Sequence, residues 1–286
     1  MFTRKSARPC RRSLLIAPVL AVVSLLVLHA GGSAEANSHT GGGVRPTIVL
    51  VHGDWADASS WTRVMKRLQE DGFTVVAPPN LLRGPATDAP YLADYLKSIP
   101  GPIVLVAHSY GGFVATNAAT GNDNVKALVY IDAFAPAEGE TAGELVARGN
   151  SCVTGSALNQ VPFDGGVDLY LRRDADPDAN PPYPGFLDCF ANGVDRDEAA
   201  VLFATQRPAA FAQFTEPSGP PAWKTIPSWS LIGTEDHVIP PALEEEMSSR
   251  AGAHITRVKA GHLSLITNPG DVTKVIRAAV DATSNS

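Results

Sequence analysis

Basic clusters are missing from this chain once its first dozen residues are passed. Arg4, Lys5, Arg8, Arg11 and Arg12 form the one such group. Without residues 1–36 the chain keeps 18 Lys/Arg against 28 Asp/Glu, a balance of −10 compared with −6 for all 286 residues. An acidic surface with no basic block argues against nucleic acid or an anionic membrane as partner. An apolar run long enough to span a bilayer is missing as well. The stretch from Leu14 to Leu28 is short for a span and is interrupted by Pro18 and Ser24. There is no internal repeat. A calcium loop is hinted at by Asp174, Asp176, Asp178 and Asn180, but Ala179 and Gly185 stand where its central glycine and terminal glutamate belong. A solvated acidic turn is the better interpretation. Cysteine is scarce, with only Cys10, Cys152 and Cys189 in the sequence.

What is present begins with an export signal. A basic n-region, the apolar run and Ala34-Glu35-Ala36 predict a secretory signal peptide over residues 1–36, cleaved after Ala36. Arg11-Arg12 followed by Ser-Leu-Leu also fits twin-arginine export. The expected location is therefore secreted or extracytoplasmic, with no membrane attachment after cleavage. Cys10 leaves with the signal, and two cysteines in an exported chain point to one disulfide, Cys152 with Cys189. Residues 37–45 are polar and glycine-rich, a flexible lead-in.

From Pro46 onward apolar strands alternate with amphipathic helices. Strands are predicted at Thr47–Val51, Phe73–Ala77, Ile103–Ala107, Val125–Ile131, Ser228–Ile232 and Ala253–Val258. Helices are predicted at Ala58–Glu70, Asp88–Ser98 with Asp88 as N-cap, Pro240–Arg250 and Pro269–Ala282. Near-continuous apolar strands between helices mean a mostly parallel α/β sheet of about six strands, covered on both faces. The rhythm breaks over about 135–224, a Pro- and Gly-rich stretch with irregular aromatics and one clear helix at Asp195–Thr205. An insertion of that length is usually a functional cap. The domain thus runs over 46–286.

The chemistry centres on Pro102–Ala119, where a buried strand turns at His108-Ser109-Tyr110-Gly111-Gly112 into a small-residue helix. This is the geometry of a nucleophile elbow, written here A-x-S-x-G. Acyl transfer by serine needs a base, an acid to orient it, and donors for the oxyanion. In open α/β sheets these arrive on loops at the carboxyl ends of strands. After the first strand, His52-Gly53-Asp54-Trp55 lets backbone approach substrate, so the N–H of Asp54 can join that of Tyr110 at the oxyanion. Trp55 is the fallback donor. A carboxylate aimed at that charge would oppose it, so the Asp54 side chain is expected to turn away. Asp236, between a strand and a proline-started helix, is the favoured acid over Glu235 and Asp132. Asp132 is expected to cap the loop leading to the cap. His262, late in the chain and beside Gly261, is the base. His52 and His108 flank the functional turns and, with Gly53 and Trp55, are assigned to the substrate pocket. Tyr110, Trp55 and the cap aromatics would line it.

The order Ser109, Asp236, His262, with HG after the first strand, AHSYGG at the elbow, TEDHVIP at the acid and GH at the base, resembles the α/β-hydrolase superfamily over Pro46 to the C-terminus. It is similar to small esterase-like members, a group that includes methylesterases and hydroxynitrile lyases. The lyases typically carry threonine for the HG glycine and lysine after the catalytic histidine. Gly53 and Leu263 stand here, so the resemblance implies hydrolysis of a small-molecule carboxylic ester, with no metal or organic cofactor. The same triad also serves lactonases, thioesterases, amidases, C–C hydrolases and perhydrolases, and a ligand-binding relic of the fold would keep it too. Dehalogenases and epoxide hydrolases use aspartate at the elbow.

Overall fold

Strands that are apolar on every residue can be buried only if both faces of their sheet are covered. The computed structural model describes residues 44–283, which belong to the second of the chain's two units, Gly41–Ser286. The expected signal peptide and residues 37–43 of the lead-in lie outside the described residues. Along the chain come β1 (Thr47–Val51), α1 (Thr62–Glu70), β2 (Val75–Val76), α2 (Pro85–Lys97), β3 (Ile103–Ser109), α3 (Gly111–Ala118) and β4 (Val125–Ala133). The insertion then holds α4 (Ala142–Gly149), β5 (Leu158–Phe163), β6 (Gly166–Leu171), α5 (Phe186–Cys189), α6 (Arg196–Ala204), β7 (Ala209–Ala210) and α7 (Ala212–Thr215). The regular alternation resumes with β8 (Ser228–Gly233), α8 (Pro241–Arg250), β9 (His254–Val258), α9 (Ser264–Thr267) and α10 (Pro269–Thr283).

β2-β1-β3-β4-β8-β9 form one six-stranded sheet in that order, every neighbouring pair parallel. All seven residues of β3 are buried, and so are eight of the nine in β4. Chain order reverses between β1 and β3: the first crossover goes to β2 on one side and the following ones to the other. A parallel sheet opens a crevice at such a switch point, at the carboxyl ends of its strands. Both loops placed there, His52–Trp55 and Ser109–Gly112, are the ones the sequence analysis singled out.

Three local expectations are corrected. The strand at Phe73–Ala77 shrinks to Val75–Val76, because it is an edge strand bonded only to β1 and Pro78-Pro79 follow it. Helix α2 begins at Pro85, which presets the first helical φ, so Asp88 lies inside the first turn and is no N-cap. Its carboxylate instead turns back to accept the N–H groups of Arg83 (3.0 Å) and Gly84 (3.2 Å). Third, the insertion contains an antiparallel sheet, β5-β6-β7, that was not expected. Its hairpin turns on Asp164-Gly165, with Gly165 at φ +98°, the dipeptide that two-residue hairpin loops prefer. The insertion is also stapled by the disulfide Cys152–Cys189, whose Cα atoms are 5.8 Å apart.

The elbow helix packs so tightly that a Cβ on Gly112 would sit 2.0 Å from the carbonyl oxygen of Phe134. That oxygen is backbone and has no rotamer to escape into. Gly112→Ala should therefore lower the free energy of unfolding in urea by about 3 kcal/mol or more. Gly155→Ala, where nothing lies within 4 Å, should change it by no more than about 0.5 kcal/mol.

Candidate active site

Ser109 is held at φ +53°, a left-handed conformation rare for any residue with a Cβ. The strand-to-helix reversal forces it there, and the space opposite is kept free by Gly53. A Cβ on that glycine would lie 2.5 Å from the Cβ of Ser109. The result is a serine presented at the mouth of the crevice, 3% exposed. Its Oγ lies 3.0 Å from Nε2 of His262, and Nδ1 of His262 lies 2.7 Å from Oδ2 of Asp236. The other Asp236 oxygen accepts the N–H groups of Val238 (2.7 Å) and Ile239 (3.0 Å). Those bonds aim the carboxylate at the ring, so the ring donates from Nδ1 and offers a bare Nε2 to the serine hydroxyl. Glu235, the rival acid, faces Lys259 at the surface instead, 3.6 Å away.

Burial sets the charge states. It pushes the His262 imidazole down and the Asp236 carboxyl up, while the two backbone donors pull Asp236 back. A neutral resting imidazole is what a base requires. His108 is buried against it, ring centroids 4.7 Å apart, with Nε2 2.9 Å from the carbonyl oxygen of His262. His108 is also held neutral by burial and by its neighbour, and its contact with that carbonyl braces the backbone of His262.

The HG turn is clamped from beneath. Nδ1 of His52 sits 2.9 Å from the Gly53 carbonyl, Asn80 donates its N–H to His52 Nε2 (3.0 Å), and Asn80 Nδ2 donates to the His52 carbonyl (3.0 Å). His52 and His108 are therefore fully buried supports and are not pocket residues. The pocket beside Ser109 is narrow, with a cavity volume of about 20 Å³, and is walled by Trp55, Tyr110, Phe134, Val153, Phe214 and Val238, with Asp54 and Gln213 among them. Of the cap aromatics only Phe214 reaches it. Phe163 and Phe211 point to solvent, and Phe190 packs against Trp55 and His262. Trp55 Nε1 donates to the Leu169 carbonyl (3.0 Å) and Tyr110 donates its hydroxyl to Asp88 (2.9 Å). Both rings thus stand as fixed walls.

Neither Asp54 nor Tyr110 spends its backbone N–H on another backbone carbonyl. The Asp54 side chain is enclosed by the fold. It is 6% exposed beside Gln213, where burial and the charge of Asp88 push its pKa well up. A protonated carboxyl no longer opposes a developing oxyanion, which removes the difficulty that motivated the expectation.

Behind the site, Asp132, Asp236 and Glu244 bring carboxylate oxygens within 4.8 Å of one another, all buried. Asp132 accepts from the N–H of Gly233 (2.8 Å) and from both the N–H and the hydroxyl of Ser264. It therefore ties β8 to α9 and is not a cap for the insertion's entry loop. Asp236 has three donors of its own. Glu244 has none at hydrogen-bonding geometry, and it faces the other two carboxyls. This donor set fits a proton better than a metal: lone pairs on two members are already taken, and the third can be satisfied by donating to Asp236. Glu244 is accordingly pushed well above the usual carboxylate range by burial, then by Asp236 and Asp132. Its signal in the sequence was helical spacing, since Leu243, Met247 and Ser248 share its buried face while Glu245 and Glu246 do not. Gln213 and Asp88 carried no comparable signal.

A carboxyl that keeps its proton when folded but loses it above about pH 4.3 when unfolded makes the folded state the better proton binder. Stability contributed by Glu244 is thus complete at low pH and is lost as pH rises, at up to about 1.4 kcal/mol per pH unit. Wild-type melting temperature should fall from pH 5 to 8. Glu244→Gln, which keeps a donor without a titration, should fall less, and the gap between the two thermal unfolding curves should widen with pH.

Comparison with known proteins follows the same lines. The profile of the Alpha/beta hydrolase family matches residues 48–275. An α/β-hydrolase of Aspergillus novofumigatus, nvfD, is 26% identical over 258 residues, 82% of this chain and 97% of its own length. A carbendazim-hydrolysing esterase of Nocardioides is 30% identical over 114 residues, 35% of this chain, and the match spans about half (47%) of that protein. Among solved structures, a pyrethroid hydrolase of Sphingobium faniae superposes with a TM-score of 0.66 at 19% identity, covering 84% of this chain and 99% of its own. An extracellular α/β-hydrolase of a Paenibacillus species superposes at 0.62 and 23%, over 82% and 98%. Profile, fold and the serine-bearing elbow agree, and this chain belongs to the alpha/beta hydrolase family.

Proposed function

We propose that this protein is an exported serine esterase that cleaves small carboxylic esters through an acyl-enzyme. The observation that carries the proposal is the unbroken line from Ser109 Oγ to His262 Nε2 (3.0 Å) and from His262 Nδ1 to Asp236 (2.7 Å), on a serine strained at φ +53°. Ser109 Oγ attacks the ester carbonyl carbon while its proton passes to His262 Nε2. The tetrahedral oxyanion is met by the N–H groups of Tyr110 and Asp54. Collapse breaks the bond to the alcohol oxygen, which leaves with the proton from His262. Water then gives a proton to His262 and attacks the acyl-enzyme, and a second collapse releases the acid and restores Ser109. Asp236 holds the imidazole in the tautomer this needs and stabilises the imidazolium.

The names of relatives support an ester as substrate: a carbendazim-hydrolysing esterase in sequence, and a pyrethroid hydrolase and a polyneuridine aldehyde esterase in fold. The signal-like N-terminus supports export, and the Cys152–Cys189 bridge fits an oxidising compartment.

Ser109→Ala should lower kcat/KM for 4-nitrophenyl acetate at least about 10³-fold, and a fluorophosphonate should label wild type at Ser109 but not the variant. Unchanged cleavage by Ser109→Ala would refute the reading. The small pocket should make acetate and butyrate esters better substrates than the dodecanoate, measured as kcat/KM across the 4-nitrophenyl series. N-terminal sequencing of protein recovered from outside the producing cell should begin at Asn37.

A further inference from the structure

The walls of the pocket beside Ser109 are hydrocarbon except at one place. Asp54, on the loop after β1, and Gln213, on α7 of the insertion, face each other there. Asp54 Oδ1 is buried without a hydrogen-bond partner, and so are both Nε2 and Oε1 of Gln213, a residue with no exposed surface. Buried polar groups are nearly always paired, because leaving them unpaired forfeits their hydration for nothing. Other orphaned atoms among the described residues belong to Trp61, Asn80, His108, Asn122, Asn192, Glu244 and Arg250, and none of those residues lines this pocket. The two that do are adjacent and lie next to the nucleophile.

We propose that Asp54 and Gln213 form a polar subsite that selects esters whose acyl group carries a hydroxyl near the carbonyl. The inference rests on the serine esterase reading of the same site. The acyl part is chosen because it stays bonded to Ser109 through both steps while the alcohol must leave after the first, and a closed pocket suits the part that stays. A neutral group is chosen because of what surrounds Asp54. Burial and the carboxylate of Asp88 favour its protonated form, opposed by the neighbouring Gln213 amide and then by Arg83, and Gln213 is uncharged. A protonated Asp54 and a primary amide together offer donors and acceptors. A hydroxyl, which donates once and accepts twice, complements them. A site built around such a bond rejects the analogue that lacks it far more strongly than an apolar pocket rejects a missing methylene.

The test compares kcat/KM for 4-nitrophenyl 3-hydroxybutyrate and 4-nitrophenyl butyrate in wild type, Gln213→Leu and Asp54→Asn. Intrinsic ester reactivity cancels when the hydroxy-to-plain ratio is compared between proteins. The ratio should fall at least about 10-fold in Gln213→Leu and stay within about 3-fold of wild type in Asp54→Asn, which keeps a donor and an acceptor. Thermal unfolding provides an independent reading. Gln213→Leu removes two unpaired buried atoms, so its melting temperature should equal or exceed that of wild type. An unchanged ratio in folded Gln213→Leu, with butyrate cleavage still dependent on Ser109, would overturn the subsite alone. Preference for the matched 3-aminobutyrate ester over the hydroxy ester would overturn the neutral-group assignment. Failure of wild type to cleave either ester would overturn the esterase reading and the subsite with it.

Discussion

Three backbones meet at Ser109, and the site depends on how closely they approach. The turn after β3 holds the serine at φ +53°, a conformation that costs on the order of 1–3 kcal/mol and persists only when its surroundings over-determine it. The surroundings do so from two sides. The loop after β1 comes close enough that Gly53 has no room for a side chain, and the chain leaving β4 presses the Phe134 carbonyl onto Gly112. Because β1, β3 and β4 are neighbours in the sheet, the same hydrogen-bonded ladder that buries their apolar residues fixes these approaches. Strain at the serine is thus sustained by the core, and the backbone donors of Asp54 and Tyr110 are positioned by the same ladder.

A second constraint comes from charge kept out of water. His52, His108 and His262 are all fully buried, and burial holds each ring below its ordinary pKa. Opposite them, the carboxyls of Asp132, Asp236 and Glu244 share one small volume and are pushed up. Burial thus disfavours standing charge around the imidazole, and the backbone donors of Val238 and Ile239 oppose it at Asp236. Asp132 and Asp236 differ in their donors: the first is bound by the main chain and side chain of the fold, the second is left one edge for the imidazole. That difference explains why one is structural and the other faces the imidazole of His262, although one ends a strand and the other follows one.

Much of this was legible beforehand because the physics involved is local. Apolar runs named the six strands, and the spacing of small residues around Ser109 named the elbow. Strand–loop placement selected Asp236 and His262, which the structure brings into one hydrogen-bonded line with the serine. What failed to show were residues whose role depends on distant partners. Asp88 resembles an N-cap until Arg83, Gly84 and Tyr110 are seen around it. His52 and His108 sit in motif positions, but only the packing shows that they face Asn80 and the His262 backbone, away from the pocket. The insertion was recognisable by its length and composition and not by its layout, apart from the overlooked Asp164-Gly165 turn. Gln213 belongs to a four-residue helix with no pattern to read, and its contact with Asp54 spans more than 150 positions of chain.

The disulfide gives the insertion a further meaning. Cys152 precedes Val153, a wall of the pocket, and Cys189 precedes Phe190, which packs on Trp55 and His262. One covalent bond therefore joins the wall that would touch substrate to the aromatic that braces the base. A roof bonded in this way cannot swing open on a hinge between those two points. Both cysteines belong to the insertion, so the pocket wall and the aromatic are held in one piece, and whatever shifts one shifts the other.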